Sequence, residues 1–259
     1  MAALPQGRRD AGSDGRIRRL MPSWRSVLIG LAILAACAVA YVGARQSSVF
    51  AVQRIEVSGA PPGVEAQVRR ALAPVLGTSL LAIDGTSVQR RVDALPAVLT
   101  ATYDRSFPHT LRVIVVPEKG VAVLRRGKES WLVSARGRVV ASVPPRSDPS
   151  LARIWVPTAT EVAAGDVLDA EHGGTAARSL ALAGRFPARI VIAAFGHGDL
   201  VFRLRSGLEL RLGDPTDVRL KLAIARRALR ALPAGATYLD VSVPRRPVAG
   251  ADPQLSTGG

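Results

Sequence analysis

The feature that most constrains this chain is an uncharged apolar run of 19 residues near its amino end. The run extends from residue 26 to residue 44 as SVLIGLAILAACAVAYVGA, between Arg25 and Arg45. At about 1.5 Å per residue, a helix of this length covers about 28 Å, which is close to the roughly 30 Å of a bilayer's hydrocarbon core. We therefore predict a transmembrane helix at residues 26–44.

The charge in front of this run predicts its orientation. Residues 1–25 contain six arginines and two aspartates, for a net charge of +4. Basic residues close to a membrane span are retained on the cytoplasmic side. We predict a basic cytoplasmic tail at residues 1–25, with everything after the helix outside the cytoplasm.

Two other interpretations of the apolar run involve cleavage. Ala38-Val39-Ala40 has the small-x-small pattern of a signal-peptide site, and the residues from Leu34 to Cys37 resemble a lipobox whose cysteine is acylated. Apolar residues continue past both sites, and the basic leader is longer than a signal peptide's, so the retained anchor is favoured. Cys37 is the single cysteine, which excludes an intramolecular disulfide framework.

The composition outside the helix favours folded protein without a concentrated nucleic-acid surface. The chain has 259 residues, of which 48% are hydrophobic and 21% charged, and this excludes pervasive disorder. Of its net charge of +15, the +11 that follows the apolar run is spread over both predicted domains, and 32 of the 35 basic residues are arginine.

Residues 49–118 predict a small α+β domain. A half-buried strand at 49–57 precedes a helix over 64–76 that ends at Gly77, and Asp84 is placed to cap a second helix. Strands at 98–105 and 110–116 complete a β-α-α-β-β order. Two helices cover one face of such a sheet and leave an edge strand available.

Residues 119–243 predict a mainly antiparallel β domain with two helices. The first helix is expected near residues 175–185. The second follows Asp214-Pro215, buries the stripe containing Val218, Leu222 and Ala225, and ends before Pro233. Its opposite face carries basic residues, which are Arg219, Lys221, Arg226, Arg227 and Arg230. A last strand is predicted at 237–243 and a disordered tail at 244–259. The fold class of the whole chain is therefore α+β behind an N-terminal transmembrane helix.

No catalytic motif is present. The chain lacks a nucleophile elbow, a phosphate-cradling loop and a dinucleotide fingerprint, and we predict a non-enzyme without cofactor, metal or small-molecule substrate. His109, His172 and His197 lie in predicted loops without partners at metal-ligand spacing. The carboxylates Asp166, Asp169 and Glu171 are explained by a polar surface.

The basic helix face and the last strand are the two candidate binding features. An extracytoplasmic location argues against nucleic acid for the helix face, which leaves solvent, anionic lipid or wall polymer, and an acidic protein partner as open alternatives. A C-terminal strand with nothing ordered after it leaves a sheet edge that accepts a partner strand. An ordinary edge strand that buries one face explains the same residues equally well.

Several runs resemble the FtsQ/DivIB family of bacterial cell-division proteins, whose first domain is a POTRA domain. In chain order they are FAVQRIEVSG at 50–59, GTSLLAID at 77–84, LPAV at 95–98, RSFPHTL at 105–111, VVPEKGVA at 115–122, WLVSARGRV at 131–139, LRLGDP at 210–215 and YLD at 238–240. POTRA domains also occur in outer-membrane assembly and secretion proteins. A POTRA-containing chaperone or secretion component is therefore the alternative function.

The resemblance implies a divisome scaffold at the septum of the cell membrane, which links cytoplasmic and extracytoplasmic division proteins without catalysis. It also implies binding of FtsB-like and FtsL-like partners through the last strand and the helix before it. The residues that correspond here are Tyr238, Asp240, Val241, Ser242, Val243, Arg245, Arg226 and Arg230. Ser242-Val243 departs from relatives that carry an arginine and an aromatic residue there. We expect Val243→Pro to remove a ladder donor and weaken partner pairing.

Overall fold

A long exposed helix precedes the folded domains. The computed structural model describes residues 24–46 and 48–251, so most of the predicted basic tail lies outside the described residues. Helix α1 (Trp24–Gln46) has 23 residues, about 34 Å at 1.5 Å per residue. Its residues from Trp24 to Arg45 are long and apolar enough to cross a membrane. Trp24 and Tyr41 lie near its two ends, as aromatic residues do at membrane interfaces.

The first domain has the predicted β-α-α-β-β order. Its elements are β1 (Arg54–Ser58), α2 (Pro62–Ala71), α3 (Gly85–Asp93), β2 (Val98–Ser106) and β3 (Thr110–Pro117). The strand order in the sheet is β1-β3-β2, with β1 parallel and β2 antiparallel to β3. The two outer strands are therefore β1 and β2.

The core of the first domain comes from the helix stripes and one face of the sheet. Val68 and Leu72 from the α2 region pack with Leu111 and Val115 of β3, and all four are buried. Asp84 caps α3 as predicted, because its Oδ1 accepts the backbone N–H of Thr86 at 3.0 Å. Hydrogen bonds from the Thr86 hydroxyl and N–H lower the pKa of this carboxyl.

The second domain is one large sheet with two helices. Its elements are β4 (Gly120–Arg126), β5 (Glu129–Ser134), β6 (Val139–Ser142), β7 (Ala152–Trp155), α4 (Thr175–Ala183), β8 (Ile190–Gly196), β9 (Asp199–Leu204), β10 (Glu209–Gly213), α5 (Val218–Ala228), β11 (Tyr238–Asp240) and β12 (Val248–Gly250). The nine described strands follow the order β12-β11-β10-β9-β8-β7-β4-β5-β6.

The sheet is mainly antiparallel, as predicted. Parallel pairing occurs between β10 and β11, between β7 and β8, and between β4 and β7, while the other described pairs are antiparallel. Both helices contribute to the same apolar cluster as the sheet, with Leu180 from α4 and Leu222 from α5 packed near Phe202 and Leu210. The alternate residues of β9, such as Arg203, face solvent.

The start of α5 differs from the prediction. The helix begins at Val218 and has no side-chain cap, so Asp214 is not its N-cap residue. Asp214 lies in the preceding turn and accepts the backbone N–H of Thr216 at 2.8 Å. Lys221 was assigned to the exposed basic face, and this is wrong because its side chain is buried and its Nζ donates to the Asp214 carbonyl at 2.9 Å.

The predicted disordered tail is wrong for residues 248–250. These residues form β12, which pairs antiparallel with β11 so that Leu239 lies opposite Ala249. The chain reverses at Val243, whose carbonyl accepts the N–H of Arg246 at 2.9 Å. Backbone pairing with β11 stabilises this short strand, and the sequence has no local hydrophobic run there that predicts it. Residues 252–259 of the predicted tail lie outside the described residues.

A short joint connects the two domains. Only Glu118 and Lys119 separate β3 from β4. The backbone N–H of Glu118 donates to the Ala97 carbonyl of the first domain at 2.9 Å, and its carboxylate accepts the Nε–H of Arg136 in the second domain at 3.0 Å. The Glu118 side chain is 4% exposed. One buried residue therefore bonds to both domains.

Candidate partner-binding surface

The predicted binding strand is an interior strand. Tyr238 and Asp240 belong to β11, which has β10 on one side and β12 on the other. The Tyr238 ring lies under the Arg211 guanidinium of β10, 4.6 Å from the ring centroid, and Arg211 Nε donates to Glu209 Oε1 at 2.8 Å. The Tyr238 and Arg211 side chains are half-buried on the solvent face of the sheet. The backbone edge of β11 is therefore already paired.

The next residues leave the strand and are mostly engaged within the domain. Val241 is fully buried, and its N–H donates to the Arg211 carbonyl at 2.9 Å. The N–H of Ser242 donates to Asp240 Oδ1 at 2.8 Å. Val243 is 56% exposed in the turn that reverses the chain. A proline at position 243 therefore falls outside any strand, and the expectation that it removes a ladder donor is wrong.

Gly213 is the reason that Ser242 fits against β10. This glycine has φ of +65°, and a Cβ built on it would lie 2.7 Å from the Ser242 Cβ. Residues other than glycine rarely adopt this backbone conformation, and the close approach of Ser242 leaves no room for a side chain at position 213. The local geometry of the 240–242 segment thus depends on a glycine at the end of β10.

The outermost strand at this end of the sheet is β12. Val248 is 53% exposed, while Ala249 is half-buried and packs against the main apolar cluster. No described strand lies on the outer side of β12. Sequence reasoning missed this strand because its three residues sit among prolines and arginines. The alternation of exposed Val248 with inward Ala249 is the only local signal.

The predicted basic face of α5 is present without Lys221. Arg226 is exposed on the helix and Arg230 on the 3-10 turn that follows it. Arg219 and Arg226 also line a groove of about 190 Å³ between α4 and α5, to which Leu182 and Phe186 contribute apolar surface. An apolar groove flanked by arginines suits an acidic partner that also has apolar side chains.

A buried lysine holds α5 in place beneath this face. Lys221 Nζ donates to the Asp214 carbonyl at 2.9 Å and lies 3.1 Å from Asp214 Oδ1. Hydrogen bonds from the hydroxyl and N–H of Thr216, together with Lys221, lower the pKa of Asp214 to about 2. The turn before α5 therefore holds a carboxylate at neutral pH, and the helix is tied to it by a charged group.

Two of the loop carboxylates noted in the sequence have structural contacts. Asp169 accepts the backbone N–H of His172 at 2.7 Å and lies 2.8 Å from its ring Nδ1, and these bonds lower the pKa of Asp169. Asp166 accepts the N–H of Ala163 at 2.7 Å. Within residues 24–46 and 48–251, no group of three or more histidine, cysteine or acidic side chains could hold a metal ion.

The strand edge and the helix face both border the apolar cluster of the second domain. The buried stripe of α5 packs in the same cluster as Leu239 of β11, and Ala249 of β12 packs against that cluster. An open backbone edge can accept a strand, and arginines beside it can select an acidic one. The geometry therefore suits binding of an extended polypeptide.

Comparisons with known proteins agree along most of the chain. The family described as "POTRA domain, FtsQ-type" matches residues 50–116. The protein named cell division protein FtsQ of Streptomyces venezuelae is 27% identical over 88% of this chain and 84% of its own length. The FtsQ of Streptomyces coelicolor is 26% identical over 93% of this chain and 95% of its own. That of Streptomyces collinus is 28% identical over 85% of each.

Proposed function

This chain belongs to the FtsQ/DivIB family of bacterial cell-division proteins, and from that premise we propose that it is a divisome scaffold that works by binding other proteins. It links cytoplasmic and extracytoplasmic division proteins at the septum. The three relatives reported above are named as cell-division proteins. Their names favour division over the alternative of a POTRA-containing chaperone or secretion component. The family is one of non-catalytic scaffolds, which fits a function by binding.

The scaffold is proposed to be a single-pass membrane protein with its amino end in the cytoplasm. Support comes from the apolar helix α1 and from the net charge of +4 on the first 25 residues. In this arrangement the POTRA domain follows the membrane directly and the second domain lies beyond it. The leader is then available to cytoplasmic components.

The observation that carries the binding proposal is the open edge of β12. A partner strand can pair with Val248–Gly250 through main-chain hydrogen bonds, and the side chains beside the edge then provide selectivity. We assign this edge to an FtsB-like protein, bound together with an FtsL-like protein. Tyr238, Asp240, Val241 and Ser242 support the edge from behind, because they form β11 and the segment directly after it, whereas Val243 lies in the exposed turn before β12.

The exposed arginines of the α5 region and of the turn before β12 are proposed to act on the encounter with the partner. Arg226, Arg230 and Arg245 are exposed, and a positive surface accelerates association with an acidic segment. We expect Arg226→Ala combined with Arg230→Ala to slow association and to weaken its dependence on salt, with a smaller effect on dissociation.

A pair of proline substitutions tests the edge. Successive backbone N–H groups of a strand point to opposite sides, so Val248→Pro and Ala249→Pro remove one N–H facing β11 and one facing outward. The proline that removes the outward-facing N–H should weaken partner binding about tenfold without lowering the melting temperature. The proline that removes the N–H facing β11 should lower the melting temperature. Binding of the purified FtsB-like and FtsL-like pair is measured on the full chain in nanodiscs.

Val243→Pro is the matched control. Val243 precedes Pro244, so its backbone is already confined to extended conformations that proline also adopts. It lies in the turn and off the ladder, and we expect unchanged binding. If both β12 variants fold normally and bind the partner pair as the unsubstituted chain does, strand pairing at this edge is wrong.

A further inference from the structure

An apolar pole lies on the first domain where the chain leaves the membrane helix. We define the membrane-proximal pole as Val49, Phe50 and Phe107. Val49 is 61% exposed, Phe107 is 52% exposed, and Phe50 is half-buried. The rings of Phe50 and Phe107 pack edge to face with centroids 5.7 Å apart. Exposed apolar groups that cluster in this way mark a surface with a binding partner.

The pole lies level with the end of the membrane helix. Ser79 Oγ donates to the Ala44 carbonyl of α1 at 3.5 Å, and Ser79 forms a β-bridge with Ala51. Tyr41 is three residues earlier, about 4.5 Å along the helix axis, where an interfacial aromatic residue belongs. The headgroup region extends about 5–7 Å beyond the hydrocarbon core on each side. The backbone next to Phe50 therefore falls at headgroup depth.

The hairpin that carries Phe107 is held firmly against this segment. The N–H groups of Gln53 and Arg54 donate to the His109 carbonyl at 2.9 and 3.2 Å, and His109 Nδ1 lies 3.2 Å from the Ala51 carbonyl. These bonds tie the tip between β2 and β3 to the stretch that follows α1. Phe107 consequently presents its ring from a fixed position.

Positive charge lies near the pole along the chain. Arg45, Arg54 and Arg105 are exposed and lie within five residues of a member of the pole, and the Arg105 guanidinium also donates to the Ile83 carbonyl at 3.0 Å. No acidic residue occurs from residue 45 to residue 54. Arginines at a membrane surface are attracted to anionic headgroups, so the charge and the apolar side chains favour the same partner.

We propose that the membrane-proximal pole inserts into the interfacial layer of the bilayer that α1 spans, so that the POTRA domain sits on the lipid surface. Val49 and Phe107 enter the boundary between headgroups and acyl chains, and the exposed Arg45 and Arg54 contact lipid phosphates. This proposal depends on the membrane helix and not on partner binding at β12.

The second contact fixes how the domain stands on the membrane. A single helix leaves a domain free to rotate and tilt, whereas a helix and a hairpin define a plane. Thr110 begins β3 at the pole and Pro117 ends it at the joint, so eight residues at about 3.3 Å each separate the joint from the pole by about 26 Å along the strand.

Nitroxide accessibility tests the proposal on the full chain. In a Cys37→Ala background, one label is placed at Ser106→Cys beside Phe107, and a control label at His197→Cys in the turn between β8 and β9. The protein is reconstituted alone in vesicles of phosphatidylcholine and phosphatidylglycerol. The ratio of collision with oxygen to collision with a water-soluble nickel complex should be severalfold higher at position 106 than at position 197.

Two further variants identify the side chain responsible. Phe107→Asp should lower the ratio at position 106 to that of the control, whereas Phe107→Leu should preserve it. An equal ratio at positions 106 and 197 with Phe107 intact would overturn the proposal, and this comparison remains valid if Phe107→Asp fails to fold. A ratio at position 106 that stays high in a folded Phe107→Asp protein would also overturn it.

Discussion

At the scale of single residues, Lys221 shows why a charge on a helix need not belong to its exposed face. The helical pattern predicted that Lys221 lies on the exposed basic face of α5, yet its side chain is only 2% exposed. A long aliphatic stem allows lysine to cross an apolar layer, and here the ammonium ends on a carbonyl and a carboxylate in the preceding turn.

The Asp214 carboxylate predicts a contribution to stability that depends on pH. Its pKa of about 2 in the folded chain lies below the ordinary value of 3.8, so the contribution is complete above pH 4. It is lost as the pH falls through about 2. In thermal unfolding followed by circular dichroism, the melting temperature should fall less steeply from pH 4 to pH 2 in Asp214→Asn than in the unsubstituted chain.

The control for this prediction is Asp199→Asn, which changes an exposed aspartate at the start of β9. That variant should follow the steeper curve of the unsubstituted chain. Parallel curves for Asp214→Asn and the unsubstituted chain would show that the turn before α5 contributes nothing to acid sensitivity.

At the scale of elements, the sequence predicted the helices of both domains because a helix has its own periodicity. Apolar residues three and four apart identified α5, whose buried stripe contains Val218, Leu222 and Ala225. The strand β12 was missed because three residues carry no periodicity and are held by pairing with β11, a contact across the turn. The prediction of the candidate site was affected most, because the open edge is β12 and not β11.

Two glycines allow the cost of backbone strain to be measured apart from the cost of steric crowding. Gly59 has φ of +91° after β1, and a Cβ there would lie 2.5 Å from the Val115 carbonyl oxygen of β3. Gly207 has φ of +90° with open space around it. We expect Gly207→Ala to lower the free energy of unfolding by about 1 kcal/mol and Gly59→Ala by about 2 kcal/mol or more. Chemical denaturation measures both, and equal losses would contradict the close approach of β1 and β3.

At the scale of the whole molecule, the joint at Glu118 determines whether the two domains act as one body. Sequence reasoning placed a boundary near this residue but gave no reason for a rigid connection, because Arg136 lies in the turn between β5 and β6. The pairing of a buried carboxylate with an arginine across the boundary appears only when both domains are folded. A stiff joint would keep the β12 edge at a defined height above the membrane.

Removing the arginine tests this stiffness. Arg136→Ala leaves the Glu118 carboxylate buried without its partner, which should lower the free energy of unfolding by about 1–2 kcal/mol. Pulsed electron spin resonance between labels at Arg70→Cys and His197→Cys, in a Cys37→Ala background, should give a broader distance distribution.

The control is Arg112→Ala, which removes a half-exposed ion pair with Glu56 inside the first domain. It should leave the distance distribution unchanged. A distribution in Arg136→Ala as narrow as in the unsubstituted chain would show that this ion pair does not stiffen the joint.

The proposed role as a membrane-anchored scaffold of the divisome predicts where this chain is found in dividing cells. A fluorescent fusion to the full chain, imaged while the untagged protein is depleted, should form a band at each septum and sustain division. Depletion without the fusion should block division. An even signal around the envelope, together with normal division after depletion, would contradict a role in the divisome.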